Sequence, residues 1–207
     1  TRYNQKTKHK KQLMLLRYFL LGRQYYRALD ALEYGSSIHT GLRKDGVTPE
    51  YQHQVEIALY VTTLIGSLLY PEDTIIAILL HDAPEDYFID HREISHRFGT
   101  IAGDAIYLLD KNGKTSDQYY SGLASNAVAS IAKGGDRIHN VRTMVGVFNL
   151  EKQQRYVQEV REHFLPMLKV ARRQFPRQTD AYENIKHVLS IQVDLLDSLH
   201  ASQNGLT

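Results

Sequence analysis

The chain contains no cysteine. Disulfides and thiolate metal sites are therefore excluded, any metal has to be held by His, Asp, Glu or backbone oxygen, and a reducing compartment is compatible with the composition. No apolar run approaches the ~20 residues that a membrane-spanning helix needs. Period-two alternation, the signature of a half-buried strand, is also missing. Net charge is small, +2 over 207 residues, and Arg and Lys are spread rather than striped, so a nucleic-acid polymer is not the expected partner. There is no internal repeat, low-complexity segment or linker. With 43% hydrophobic and 23% charged residues, the chain reads as one soluble domain able to bury its own core.

What is present is helical periodicity, and an all-α fold is expected. Arg2, Lys6, Lys8, Lys10 and Lys11 come without an acid ahead of Leu13 to Leu21. Arg17 interrupts that apolar segment and no small-residue cleavage pattern follows Gly22, so residues 1–22 are expected as a frayed basic tail and short helix, not a secretory signal, with the main domain over 23–207. Tyr25, Leu29 and Leu32 mark one helix, and Val55, Leu59 and Leu69 mark another. Between them Asp45-Gly46 supplies a reversal, and Thr48-Pro49-Glu50 reads as a helix start with proline in its first turn. Further helices are expected over 72–80, 94–98, 101–109, 127–144, 150–173 and 179–199, with a break at Lys111 to Lys114. In the last of them Ile185, Val188 or Leu189, Gln192, Leu195 or Leu196 and Leu199 form a stripe suited to the core or to a second copy of the chain.

Chemistry concentrates in Leu79 to Tyr87, which reads Leu-Leu-His-Asp-Ala-Pro-Glu-Asp-Tyr. His81, Asp82, Glu85 and Asp86 stand at the end of an apolar run, where unpaired carboxylates are costly and a cation is their simplest partner. Pro84 removes a backbone donor, so the helix is expected to end near Asp82 with Glu85 and Asp86 on the following turn. A hydrogen-bonded helix terminus is the plainer alternative for the pair alone.

A second stretch runs from Lys133 to Met144. Two adjacent glycines inside a helix cost about 1 kcal/mol each relative to alanine, so Gly134 and Gly135 imply either a helix break or a close approach by a ligand or neighbouring backbone. Asp136 lies beside them. Arg137, Asn140, Arg142 and Thr143 then offer the cationic and hydrogen-bonding groups that a phosphate- and base-containing ligand would use, although each alone also fits a solvated helix face.

Taken in order, these motifs resemble the hydrolase domain of the RelA/SpoT alarmone family, of the HD type. The resemblance runs from about Tyr26 to Arg155. It rests on Ile38-His39-Thr40-Gly41, an Arg-Lys-x-Gly loop at Arg43 to Gly46, Tyr51 with His53, Leu-Leu-His-Asp-x-x-Glu-Asp at Leu79 to Asp86, Phe98-Gly99, and Asp-Arg-x-His-Asn-x-Arg-Thr at Asp136 to Thr143. The resemblance implies a stand-alone cytoplasmic hydrolase that converts ppGpp or pppGpp to GDP or GTP and pyrophosphate. It implies one divalent metal, manganese in the family, on His53, His81, Asp82 and Asp136, with Glu85 and Asp86 at the reacting water. It places Arg43 and Lys44 against guanine and phosphates, Asn140 and Thr143 around ribose and base, and Lys152 at a phosphate. His39 reads as a hydrogen-bonded core residue and His139 as structural.

The chain departs from the family at Gly134-Gly135, at Gln54 where a proline is usual, and at Pro84 where an aliphatic residue is usual. The first and third lie beside metal ligands and bear on substrate preference. Two rivals remain open: a same-fold phosphohydrolase acting on adenosine alarmones or NADPH, and a non-catalytic alarmone-binding module.

Overall fold

The run Pro71–Leu80 is apolar on nearly every side, and the computed structural model, which describes residues 2–204, buries it accordingly. A helix without a polar face has to be enclosed by others. Pro71 opens this helix, α4 of the chain, at its first turn, where a missing N–H costs nothing. Ile75, Ile76, Ala77, Ile78, Leu79 and Leu80 are all buried. Around them pack α2 (Tyr26–Ile38), α3 (Gln52–Thr62), α7 (Thr100–Leu109) and α9 (Ala127–Thr143). Asn126 caps α9 by accepting from the backbone N–H of Val128 and Ala129. Helix α9 in turn backs onto α12 (Thr179–Asn204), so α4 and α9 form the axis on which the bundle is built. Among the described residues there is no strand, only an isolated bridge between Leu42 and Pro49, and no helix is long and apolar enough to cross a membrane.

The remaining α-helices are α1 (Arg2–Gly22), α5 (Ala83–Tyr87), α6 (His91–Phe98), α8 (Ser116–Ala124), α10 (Leu150–Glu159) and α11 (Leu165–Gln174), with a π-helical segment at Val160–Phe164 joining the last two and short 3-10 turns at Ile65–Ser67 and Pro176–Gln178. Several differ from expectation. The stretch expected as a tail and short helix is helical from Arg2 to Gly22, and its Leu16 and Leu20 are fully buried. Thr1 of that stretch, the side chain of Arg2, and residues 205–207 at the end of the expected main domain lie outside the described residues. Helix α3 starts at Gln52, so Pro49 and Glu50 belong to the preceding loop, and it stops at Thr62, leaving Leu69 beyond it. Helix α8 had no counterpart in the periodicity. It is set by a capping box in which Thr115 and Gln118 bond each other's backbone N–H.

Helix α9 runs unbroken through both glycines. A Cβ at Gly134 would lie 2.8 Å from Ile185 Cγ2 of α12, and one at Gly135 would lie 2.9 Å from Ile57 Cγ2 of α3. The glycines serve close helix packing on two sides, by neighbouring side chains and not by a ligand. In the loop between α2 and α3, Gly46 has φ +70, and Asp45 accepts from the N–H of Val47 and Thr48, as the turn chemistry implies.

Candidate metal centre and ligand cavity

Three helix termini and one helix interior bring the site together. His53 lies in the first turn of α3, His81 caps the C-terminus of α4, Asp82 caps the N-terminus of α5, and Asp136 projects from the middle of α9. The chain turns from α4 directly into α5, so Glu85 and Asp86 sit on a five-residue helix instead of an open turn, with Pro84 in its first turn. That sharp reversal sets His81 and Asp82 side by side.

His81 Nε2 is 3.0 Å from Asp82 Oδ1 and 3.8 Å from Asp136 Oδ1, and His53 Nε2 is 3.0 Å from the same Asp136 oxygen. The Nδ1–H of His81 donates to the Ile78 carbonyl at 2.8 Å, which leaves Nε2 to face the carboxylates. Ligand atoms of His53, His81 and Asp82 lie close enough together to hold a metal ion. Nitrogen and oxygen donors of this kind suit a first-row divalent cation. The electrostatics agree. Burial alone would lower the pKa of His81, but the charges of Asp82 and Asp136 push it up to about 9, so the centre of the site favours positive charge. Burial dominates at His53 and lowers it to about 4. Both carboxyl groups resist the upward pull of burial: Asp82 is held below the usual range by His81, and Asp136 well below it by Lys133 and His53.

The groups around these four residues are themselves fixed. Gln54 Nε2 donates to Asp82 Oδ2 at 2.8 Å, Lys133 Nζ to Asp136 Oδ2 at 2.8 Å, and Asn140 Nδ2 to Asp136 Oδ1 at 2.7 Å. Arg43 reaches Asn140 Oδ1 at 3.4 Å, which ties the α2–α3 loop to α9. Above them opens a cavity of about 960 Å³ whose lining includes Arg43, Lys44, Glu85, Asp86, Asn140, Arg142 and Thr143. That size is ample for a nucleotide. Burial, with the charges of Asp82, Glu50 and Glu85, raises the Asp86 carboxyl to about 6. The hydroxyl of Tyr87 donates to Glu50 Oε2 at 2.6 Å on the same wall.

Two residues expected at the ligand do not line this cavity. Arg137 is buried on another side of α9, paired with Glu159 at 2.9 Å and stacked over Phe164 and Tyr156. Lys152 lies 3.8 Å over the Phe148 ring, outside the lining. Arg142 reaches the cavity but is bonded to Glu56, and Thr143 Oγ1 bonds back to the His139 carbonyl. His39 is a core residue, its Nδ1 donating to the Gly35 carbonyl. Sequence reasoning missed Gln54, Glu56, Lys133, and the α1 residues Gln5 and Lys8 that line the cavity rim. Glu56 and Lys133 each stand three residues from a candidate ligand on the same helix, a spacing that could have flagged them. Gln5 and Lys8 carried no such signal.

No family model matches the chain. Curated relatives do. A probable GTP diphosphokinase, RSH3, chloroplastic, of Oryza sativa subsp. japonica is 30% identical over 146 residues, 62% of this chain and 20% of that protein. A guanosine-3′,5′-bis(diphosphate) 3′-pyrophosphohydrolase of Aquifex aeolicus is 30% identical over 148 residues, 66% of this chain and 20% of that protein. A GTP pyrophosphokinase of Streptomyces antibioticus is 29% identical over 139 residues, 62% of this chain and 16% of that protein. The chain thus spans a fifth or less of the length of these relatives. Their likeness supports the RelA/SpoT resemblance, and their names include both GTP diphospho- or pyrophosphokinases and a guanosine-3′,5′-bis(diphosphate) 3′-pyrophosphohydrolase.

Proposed function

We propose that the chain is a metal-dependent phosphohydrolase that removes the 3′-pyrophosphate of guanosine alarmones, converting ppGpp or pppGpp to GDP or GTP and pyrophosphate. One observation carries the reading. His53, His81, Asp82 and Asp136 converge beside a cavity rimmed by Arg43, Lys44 and Arg142, with Glu85 and Asp86 on the same lining.

His53, His81, Asp82 and Asp136 would hold the cation, manganese by family resemblance, although the donor set suits iron or zinc as well. A divalent cation there supplies Lewis acidity at a phosphoryl oxygen and lowers the pKa of nearby water. The chain's own residues supply the rest. Asp86, raised to about 6, is poised to accept a proton near neutrality, with Glu85 beside it to orient water for in-line attack. Arg43 and Lys44 neutralise charge on the phosphates and departing group. Asn140 holds Asp136 in place and, with Thr143, faces the sugar and base. Water activation beside paired carboxylates favours hydrolysis over transfer to a second nucleotide.

Manganese-loaded protein incubated with ppGpp, pppGpp, their adenosine counterparts, NADPH and GTP, with products separated by anion exchange, tests the reading. Pyrophosphate is expected chiefly from the guanosine alarmones, while GTP, lacking a 3′ group, stays intact. Release of single phosphate from NADPH would move the activity to dinucleotides. Tight ppGpp binding without turnover would make the chain a binding module.

A further inference from the structure

Behind the candidate metal centre a chain of buried polar contacts leads away from His53. Its Nδ1 lies 2.8 Å from His139 Nδ1, with the rings edge to face. His139 Nε2 lies 2.9 Å from Glu56 Oε2. Glu56 also accepts from Gln12 and Gln52 at 3.0 Å each, from Lys8 at 2.7 Å and from Arg142. Both imidazoles and the Glu56 side chain are largely buried. Five donors on one carboxylate hold it ionised and immobile.

We infer that His139 and Glu56 are positioning residues that lock His53 into a single tautomer, with its Nδ1 protonated and its Nε2 lone pair directed at the divalent cation. The inference deepens the metal-site reading and rests on it. An ionised carboxylate only accepts, so Glu56 draws the N–H of a neutral His139 onto Nε2. His139 Nδ1 is then an acceptor. Two nitrogens 2.8 Å apart need one proton between them, and that proton comes from His53 Nδ1. His53 Nε2, 3.0 Å from Asp136 Oδ1, is left as the ligand atom. His81 reaches the same tautomer through the Ile78 carbonyl. The two histidines are thus set by unrelated devices to present the same nitrogen. Lys8 and Gln12 anchor the far end of the relay from α1, so the N-terminal helix contributes to the metal site without touching it.

Cobalt(II) binding reads this without relying on turnover. His139→Leu should weaken cobalt affinity roughly 10- to 100-fold and shift the visible absorption band of the bound ion. His139→Asn places an amide oxygen near the former Nδ1, where it can accept from His53, and should restore most of the affinity and the wild-type band. Circular dichroism checks that both variants are folded. Wild-type affinity and spectrum in His139→Leu overturn the inference while leaving the metal site standing. A wild-type protein that binds no cobalt removes the metal-site reading and the inference with it. Should His139→Leu fail to fold, long-range ¹H–¹⁵N spectra of the zinc-loaded wild type decide: a protonated Nδ1 on His53 supports the lock, and a metal-bound Nδ1 overturns it.

Discussion

Gln54 Nε2 donates to Asp82 Oδ2 at 2.8 Å, so one oxygen of that carboxylate is held by α3 while the other faces His81 Nε2 at 3.0 Å. Gln54 therefore orients a candidate metal ligand. Gln54→Ala should free Asp82 to rotate and weaken metal affinity by roughly tenfold, the typical effect of losing a partner of a ligand. Equilibrium dialysis with manganese measures it. Unchanged affinity would mean that Asp82 needs no such support.

Glu85→Gln and Asp86→Asn should retain the metal and lose turnover of ppGpp by about 10² to 10⁴, because each keeps its size and loses the charge that accepts a proton or orients water. Metal content by elemental analysis and rates by anion exchange separate the two effects. Near-wild-type rates in both variants would place water activation elsewhere.

The motifs that gather at the candidate metal centre were legible because they are local. His81 and Asp82 are adjacent, and a single helix reversal determines their relation. Asp136 and Asn140 are four residues apart on one helix, which by itself predicts their contact. Arg137 misled because the helical period that places Asn140 beside Asp136 turns Arg137 away, toward Glu159 and Phe164. The part played by α1 was invisible, since Lys8 meets Glu56 only through tertiary packing. The glycine pair left two readings open, and only the positions of Ile57 and Ile185 decide between them.

Gly134→Ala should destabilise the chain despite alanine's better helix propensity. The new methyl would lie 2.8 Å from Ile185 Cγ2, a stiff β-branched neighbour. Overpacking costs about 1–3 kcal/mol, against a propensity gain of about 1 kcal/mol. Denaturant unfolding should show the loss, and in an Ile185→Ala background, where room exists, the same substitution should become neutral or stabilising. Equal effects in both backgrounds would refute the packing account.

Glu159 carries the pH prediction that lies clear of the metal centre. Burial works to raise its pKa, but the charge of Arg137 at 2.9 Å and a 2.6 Å bond from the Tyr120 hydroxyl hold it below its ordinary 4.5. A carboxyl depressed by folding binds fewer protons in the folded state than in the unfolded one, so its contribution is complete above the unfolded pKa and fades as pH falls through the folded one. Glu159→Gln leaves Arg137 buried without an acid and should cost about 2 kcal/mol at neutral pH, the scale of a charged hydrogen bond. The gap between wild type and variant should stay constant above the ordinary carboxyl value of 4.5 and narrow progressively as pH falls below it. Denaturant melts of both proteins across that range give the curve. A gap that persists unchanged at about pH 3 would show that the charge of Glu159 contributes nothing and that its hydrogen bonds alone hold Arg137.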